Sequence, residues 1–497
     1  MTQKQNTLEA TIESLSRQPE TPPNKWAVLI INSVGVFMAT LDSSIVNISL
    51  PKIAENFHVP MNGAIQWVII AYLVAATAIL LTAGRLADMF GRKTVWLAGL
   101  IIFTGGSALC GLAPSLGFLI AARILQGFGG SLVMAVGPAL LTGAFPPQER
   151  GRALGLNAIT VSLGVSIGPT LGGFITAYWT WRWIFFINLP IGILGLLATL
   201  RILKETTPRK ESQFDPLGAI LLAVGMASLT GGLSFGQDIG WSSPVLISIF
   251  VLAAIALLAL PLVETRVANP IIDFSLFRNR VFFSANISLI LSSMALFVVS
   301  FMLPFYLEEL RGIPTQNAGL LLTPLPITIA CVAPFSGALA DKIGTRWLAA
   351  GGLAIACIGL ICIGQLNEKS SIPDIIWRLM LTGFGQALFQ SPNSSALMGS
   401  APSNRQGIAS GFLATARTMG QSISVALSGA IFATLGGAAA GHMLQVQQLT
   451  ATQQAEQQHI FTHSFQIAFI VCAVIAAIGV FTSLVRGKEE RRQRAAA

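Results

Sequence analysis

The sequence predicts an all-α integral membrane protein: two parallel six-helix bundles with two additional transmembrane helices between them, fourteen spans in all. Three observations carry that expectation. Of 497 residues, 53% are hydrophobic and only 10% charged, and the mean hydropathy is +0.70, too little polar surface for a water-soluble globule of this size. Apolar runs of about 20 residues, the length that crosses a bilayer, recur about fourteen times. A loop motif in the first half also returns in the second, at an offset of about 253 residues.

Taken in order, the expected spans are about 26–50, 65–83, 94–113, 117–145, 153–177, 183–203, 216–235 and 244–263. Six more follow at about 282–306, 317–340, 347–365, 375–398, 408–435 and 465–485. The basic residues set the orientation. With the N-terminus inside, the inner loops hold Arg85, Arg92, Lys93, Arg150, Arg152, Arg201, Lys204, Arg209, Lys210, Arg266, Arg278, Arg280, Lys342, Arg346 and Arg405. The outer loops hold only Lys52, Arg182, Arg311 and Lys369. Lys25 before the first span and Arg486, Lys488, Arg491, Arg492 and Arg494 after the last place both termini in the cytoplasm. The expected organisation is a tail (1–25), a first bundle (26–203), linkers with the inserted pair (204–281), a second bundle (282–485) and a basic tail (486–497). No cleavable signal peptide is visible, so the first helix is its own signal. A Gln-rich outer loop at about 436–463 lacks Lys and Arg and has partial helical character.

Composition also excludes function classes. The net charge of +9 is spread over alternate loops and forms no single patch, so nucleic acid is not expected as a partner. Cys110, Cys331, Cys357, Cys362 and Cys472 all fall inside expected spans, which points to neither a disulfide framework nor a metal site. No nucleophile and base stand together, so the chain does not read as an enzyme, and no cofactor is expected.

The repeat is visible in several motifs. GRLADMFGRK at 84–93 returns as GALADKIGTR at 337–346, and Arg123 with Gly127, Phe128 and Gly129 returns as Arg378 with Gly383, Phe384 and Gly385. Both copies of the loop motif lie on the same side, which makes the halves parallel repeats. Gly84 and Gly91 permit a tight helix-to-helix turn, held at the membrane face by Arg85, Arg92 and Lys93. Asp88, with Asp341 at the repeat position, is placed to meet a neighbouring helix N-terminus or these arginines, a contact that forms in one conformation and breaks in another. A plain solvated turn is the alternative. In GVSIGPTLGG, Gly164, Gly168, Gly172 and Gly173 space small residues along one helix face around Pro169, which predicts a kink and close packing.

Asp42 stands out within LDSSIVNISLP (41–51), because an ionised carboxylate near mid-bilayer costs about 2.5–3.5 kcal/mol. Arg123 enters the fourth span from the outer side to about 9 Å, close to the roughly 12 Å depth of Asp42. If the helices face a common cavity, Arg123 keeps Asp42 ionised in one state and lets it protonate in another. The alternative is an Arg123 that snorkels outward. Asn32, Gln126, Gln386, Gln390, Asn393 and Arg417 are the polar side chains expected along the substrate cavity. Glu308 and Glu309 are expected at the outer mouth. The repeat position of Asp42 is Ala295, which predicts that charge handling is concentrated in the first half.

These motifs resemble those of the major facilitator superfamily, and over nearly the whole chain those of its fourteen-span drug:proton antiporter family, the EmrB/QacA type. LDSSIVNISLP matches that family's first-span signature, GRLADMFGRK its loop motif, RILQGFGG (123–130) its fourth-span motif, and WRWIFFINLPIG (181–192) its sixth-span start. The resemblance implies the major facilitator fold and alternating access, with export of hydrophobic or amphipathic small molecules driven by inward proton flow across the plasma (inner) membrane. By position it implies Asp42 and Arg123 as the proton-coupling pair, Asp88 and Arg92 as the conformational latch, and Pro169 with its glycines as the hinge and inter-half packing. Beyond substrate, protons and the bilayer, it leaves a periplasmic adaptor protein open as a partner. Members that export dications carry further acids in later spans; this chain has only Arg378 and Arg417 there, which disfavours dicationic substrates. Two alternatives stand beside it: a dedicated exporter of one metabolite such as a siderophore, peptide or antibiotic, and a non-transporting membrane receptor.

Overall fold

The computed structural model describes residues 24–59, 63–205, 215–265, 267, 274–402, 405–446 and 449–486. Most of both expected tails, with Arg209, Lys210 and Arg266, lies outside them. Among the described residues, fourteen α-helices of fifteen residues or more follow one another. In the first half these are α1 (Lys25–Asn56), α2 (Gly63–Phe90), α3 (Arg92–Gly111), α4 (Leu116–Ala144), α5 (Arg150–Tyr178) and α6 (Asn188–Ile202). The inserted pair is α7 (Pro216–Ile239) and α8 (Pro244–Glu264). The second half holds α9 (Arg280–Phe305), α10 (Pro324–Ile343), α11 (Arg346–Gly364), α12 (Ile372–Ser400), α13 (Gln406–Thr434) and α14 (Ala451–Leu484).

Twelve helices among the described residues are long and apolar enough to cross a membrane, and thirteen if α13 is counted with Gly437–Leu444, to which it joins at a 73° bend. The difference from the fourteen expected has a local cause. α12 carries Asp374, Arg378, Gln386, Gln390 and Asn393, and α13 carries Gln406, Arg417 and Gln421; interior polar side chains lower the apolarity of both. The last helix begins at Ala451, well before the expected 465, because Thr450 and Gln453 form a capping box that starts it in the Gln-rich segment.

The halves pack alike. α1 lies along α5, and α2 and α3 lie on α4; likewise α9 lies along α13, and α10 and α11 on α12. Across the interface, α2 meets α13 and α5 meets α10, two crossings that the repeat interchanges. α7 and α8 pair with each other, and α7 leans on both α2 and α13. Leu81, Leu222, Met226 and Leu260 fill that junction, so the insertion touches both halves at once. Large apolar side chains such as Leu258, Phe335 and Phe481 point outward, the surface a lipid-solvated bundle requires.

The turns of the two loop motifs are superposable in conformation. Gly91 has φ +96° and Gly344 φ +98°, a region that costs side chains dearly and glycine little. Beside Gly91, the Glu205 carboxylate accepts from the backbone N–H groups of Arg92 (3.2 Å) and Lys93 (3.0 Å), capping the first turn of α3.

Candidate functional site

Asp42, on α1, is fully buried and Arg123, on α4, is 1% exposed. Arg123 donates from Nη1 to Asp42 Oδ2 at 2.6 Å. Asp42 Oδ1 accepts from Gln126 Nε2 (2.8 Å) and from Asn188 Nδ2 (3.0 Å). Arg123 also donates to the Val68 carbonyl (2.9 Å) and to Gln126 Oε1 (2.6 Å), and its guanidinium lies over the Tyr72 ring at 4.3 Å. Ser107 accepts from both Gln126 and Asn188, closing the network across α1, α3, α4 and α6. The helices arrive here because glycines let them. Gly106 of α3 lies where a Cβ would strike Gln126, and Gly129 of α4 lies against the backbone of Phe103. Breaking so buried an ion pair by removing one partner leaves an uncompensated charge, at a cost of about 3–5 kcal/mol.

The structure therefore brings Asp42 and Arg123 into contact and adds three groups that the sequence reading did not single out: Asn188, Ser107 and Tyr72. Asn188 was readable as a polar residue at the start of an apolar span, two residues before Pro190. Gln126, expected along the substrate cavity, belongs instead to this network.

A cavity lies beside the network, between the halves. It has two chambers of about 200 Å³ and about 160 Å³, which share Val161, Val165, Gln390, Arg417 and Gln421 as walls. Tyr72 lines the first chamber and also lies against Arg123, whose guanidinium sits over its ring. Gln386 and Gln390 line the cavity as expected from their spacing, and so does Arg417. Asn32 and Asn393 do not. Asn32 is fully buried and donates to Asn157 Oδ1 (2.7 Å), so Asn157 is the residue that reaches the cavity. Asn393 donates to the Ala285 carbonyl (3.0 Å) and accepts from Arg486, turning away from the chambers. Each polar stripe, 32–42 on α1 and 386–393 on α12, wraps past the edge of a cavity wall, which is why its end member faces packed helices.

At the loop-motif end, each half holds the other by the same contact. Asp88 accepts from the backbone N–H groups of Gly407 (2.9 Å) and Ile408 (3.0 Å), in the first turn of α13. Asp341 accepts from Gly151 (3.0 Å) and Arg152 (3.1 Å), in the first turn of α5. A carboxylate at a helix N-terminus satisfies orphan donors and meets the positive end of the dipole. Backbone approach permits it: Gly84 lies against Gly407 and Gly337 against Gly151. Arg92 reaches the Ala139 carbonyl (2.8 Å) and Gln406 Oε1 (3.3 Å), bridging the halves beside the Asp88 contact. Arg85 is half-buried with Asp88, Arg405 and Glu264 as charged neighbours, so the end of the inserted pair adjoins the latch.

The glycine-rich segment of α5 departs from expectation. Gly164 packs on Thr40 and Gly168 on Ser44 of α1, within the first half, and Ser44 donates to the Gly164 carbonyl at 3.0 Å. Contact with the other half falls to Gly151 and Gly155 at the opposite end of α5. The helix runs unbroken from Arg150 to Tyr178; the side chain of Pro169 lies outside the described residues.

Arg378 is likewise not where the repeat placed it. The glycines of α4 and α12 correspond at an offset of 256 (Gly127 to Gly383), because Gly127 meets Tyr72 and Ala75 while Gly383 meets Leu325 and Thr328. On that register Gln126 corresponds to Thr382, and Arg123 to Leu379. Arg378 stands one residue earlier, about 100° round the helix. There it pairs with Asp374 (2.9 Å) and donates to the Cys362 carbonyl (2.6 Å). Glu309 is half-buried beside Gly441, whose short helix covers it, and is less open than a solvated mouth residue. Cys331 is exposed while Cys110 and Cys472 are buried.

Two parallel helical repeats, latched at one end around a central cavity, define a multi-pass membrane transporter. The chain belongs to the Major Facilitator Superfamily, whose family model matches residues 33–425 and 286–497. It is 36% identical over 410 residues to the riboflavin transporter RibZ of Clostridioides difficile (strain 630), covering 82% of this chain and 88% of that protein. It is 34% identical over 406 residues to the multidrug resistance protein Stp of Mycobacterium tuberculosis (strain CDC 1551 / Oshkosh), covering 82% of this chain and 75% of that one. Among solved structures, the human organic anion transporter MFSD10 (TETRAN) superposes with a TM-score of 0.65 at 17% identity, covering 93% of this chain and 100% of that one. The proton:xylose symporter XylE superposes at 0.62 and 13% identity, covering 92% and 94%. At these identities the two structures speak for the fold alone. The family and the relatives are transporters, not enzymes.

Proposed function

We propose that the chain is a proton-coupled antiporter of the fourteen-span drug exporter type, moving hydrophobic or amphipathic small molecules out across a bacterial plasma membrane with both termini in the cytoplasm. The observation that carries this reading is the buried Asp42 and Arg123 pair, one aromatic ring away from the central cavity. A carboxylate in a water-excluded bundle is held either by Arg123 and its amide donors or by a proton. Helix movements that separate α1 from α4 exchange one for the other. Substrate in the adjoining chamber, pressing on Tyr72, biases that exchange. With the loop motifs on the cytoplasmic side, the Asp88 and Asp341 contacts hold that face shut, and both must release for substrate to enter.

The test is uptake of amphipathic dyes into everted vesicles under an imposed proton gradient. Uptake that collapses with a protonophore and is lost in Asp42→Asn supports the reading; full gradient-driven uptake by Asp42→Asn sinks it. The similarity to RibZ favours a second reading, a transporter dedicated to one metabolite. A narrow profile across a resistance panel, with transport of a single compound class, selects it.

A further inference from the structure

Arg417 occupies the middle of α13, eleven residues or about 16 Å along the helix from its Gln406 end. It lines both chambers of the cavity and is the one charged side chain among their described walls; neither chamber has an Asp or Glu. Four other buried or part-buried arginines of the bundle are engaged. Arg123 holds Asp42, Arg92 holds the Ala139 carbonyl, Arg378 holds Asp374, and Arg486 holds Thr345 and Asn393. Among the described residues no carboxylate, carbonyl or hydroxyl accepts from Arg417. An intramembrane cation of this kind costs about 2.5–3.5 kcal/mol even on the lenient insertion scale, a cost that an apolar residue at the same position avoids.

Guanidinium presents five donors in a planar fork that fits a carboxylate, sulfonate or phosphate with two parallel hydrogen bonds. Gln390 and Gln421 flank it at the junction of the chambers and add neutral donors. Away from that junction the walls are largely apolar: Met134, Leu413 and Leu80 in one chamber, Leu289, Leu296 and Phe297 in the other. From this we propose that the cavity takes amphipathic organic anions, with the anionic group docked on Arg417 and the apolar body extending into a chamber. The proposal rests on the export reading above and names the substrate class of the same cavity. It separates two charges by role: Asp42 exchanges protons, and Arg417 holds substrate.

The test uses the full-length protein in proteoliposomes with an imposed proton gradient, and three xanthene dyes: fluorescein with its xanthene hydroxyl methylated, so that the carboxylate is its one anionic group; the methyl ester of that ether, which is neutral; and cationic rhodamine 6G. The expected result is that the fluorescein ether is transported in preference to its ester and to rhodamine 6G. Arg417→Gln then loses about tenfold to a hundredfold in transport of the ether, the worth of one charged hydrogen-bonded contact, while Arg417→Lys keeps part of it. Comparison of the ether with its ester on the unmutated protein decides the point even if Arg417→Gln does not fold. Gradient-driven transport of rhodamine 6G with no preference for the ether over its ester overturns the anion proposal and leaves proton-driven export standing. No gradient-driven movement of any of the three overturns both.

Discussion

In the first half, α1, α3, α4 and α6 converge on Asp42, Arg123, Gln126, Ser107 and Asn188, all buried and mutually bonded. At the equivalent place in the second half, α9 and α12 bring together Ala295 and Leu379, both buried in one apolar cluster, with Thr382 turned back to bond the Arg378 carbonyl of its own helix. The helices and even the glycine contacts are preserved: Gly106 meets Gln126 as Gly359 meets Thr382. One scaffold therefore carries a polar network in one copy and a plain hydrophobic core in the other. Since the second copy packs without charge, the charges of the first are not needed to hold the helices together. This is what makes them candidates for work rather than for structure.

The largest effect is expected from removing one partner of the pair. Arg123→Ala strands Asp42 and is expected to cost about 3–5 kcal/mol, read as a lowered melting temperature in detergent. Converting the site to its counterpart, with Asp42→Ala, Arg123→Leu and Gln126→Thr together, should restore most of that stability and none of the proton-driven transport. A triple variant as unstable as Arg123→Ala contradicts the equivalence of the two cores.

The latches give a smaller contrast. Asp88 is 4% exposed whereas Asp341 is only half-buried, so solvent screens the second more. Asp88→Ala should cost about 1.5–3 kcal/mol in the latched state and Asp341→Ala less, measured as the labelling rate of a cysteine placed at the α2 and α13 crossing. Equal labelling in the two variants argues against unequal latches. Below that, Gln126→Leu leaves Ser107 and one Asp42 oxygen short of donors, worth about 1–3 kcal/mol, while Thr382→Val at the matching position should change stability by less than about 1 kcal/mol. Smallest of all, Arg378→Ala removes a partly exposed i,i+4 pair and should shift stability by about 0.2–1 kcal/mol with transport intact, despite its apparent kinship with Arg123.

That last case shows what the sequence holds and what it hides. Helix positions were legible because bilayer thickness fixes span length, and the loop motifs were legible because their glycines recur. The contact of Asp42 with Arg123 followed from matched depth along two helices. Rotation about a helix is harder: one inserted residue between Arg378 and Gly383 leaves the motif recognisable but swings the arginine about 100°. Asn32 and Asn393 were misplaced for the same reason, since a stripe read from spacing does not say where a cavity wall ends. Asn188 escaped notice because an amide next to an apolar run gives no pattern until Asp42 is seen beside it. The latch acids were visible, but their partners are backbone N–H groups of Gly407 and Gly151, which no side-chain motif announces.

A single carboxylate, Asp42, is proposed to exchange protons, in one half only. Proton release from purified protein, followed with a pH indicator in lightly buffered detergent on addition of a transported compound, is its most direct test. Release is expected from the unmutated protein and from Arg378→Ala, and none from Asp42→Asn. Release by Asp42→Asn equal to that of the unmutated protein would contradict it.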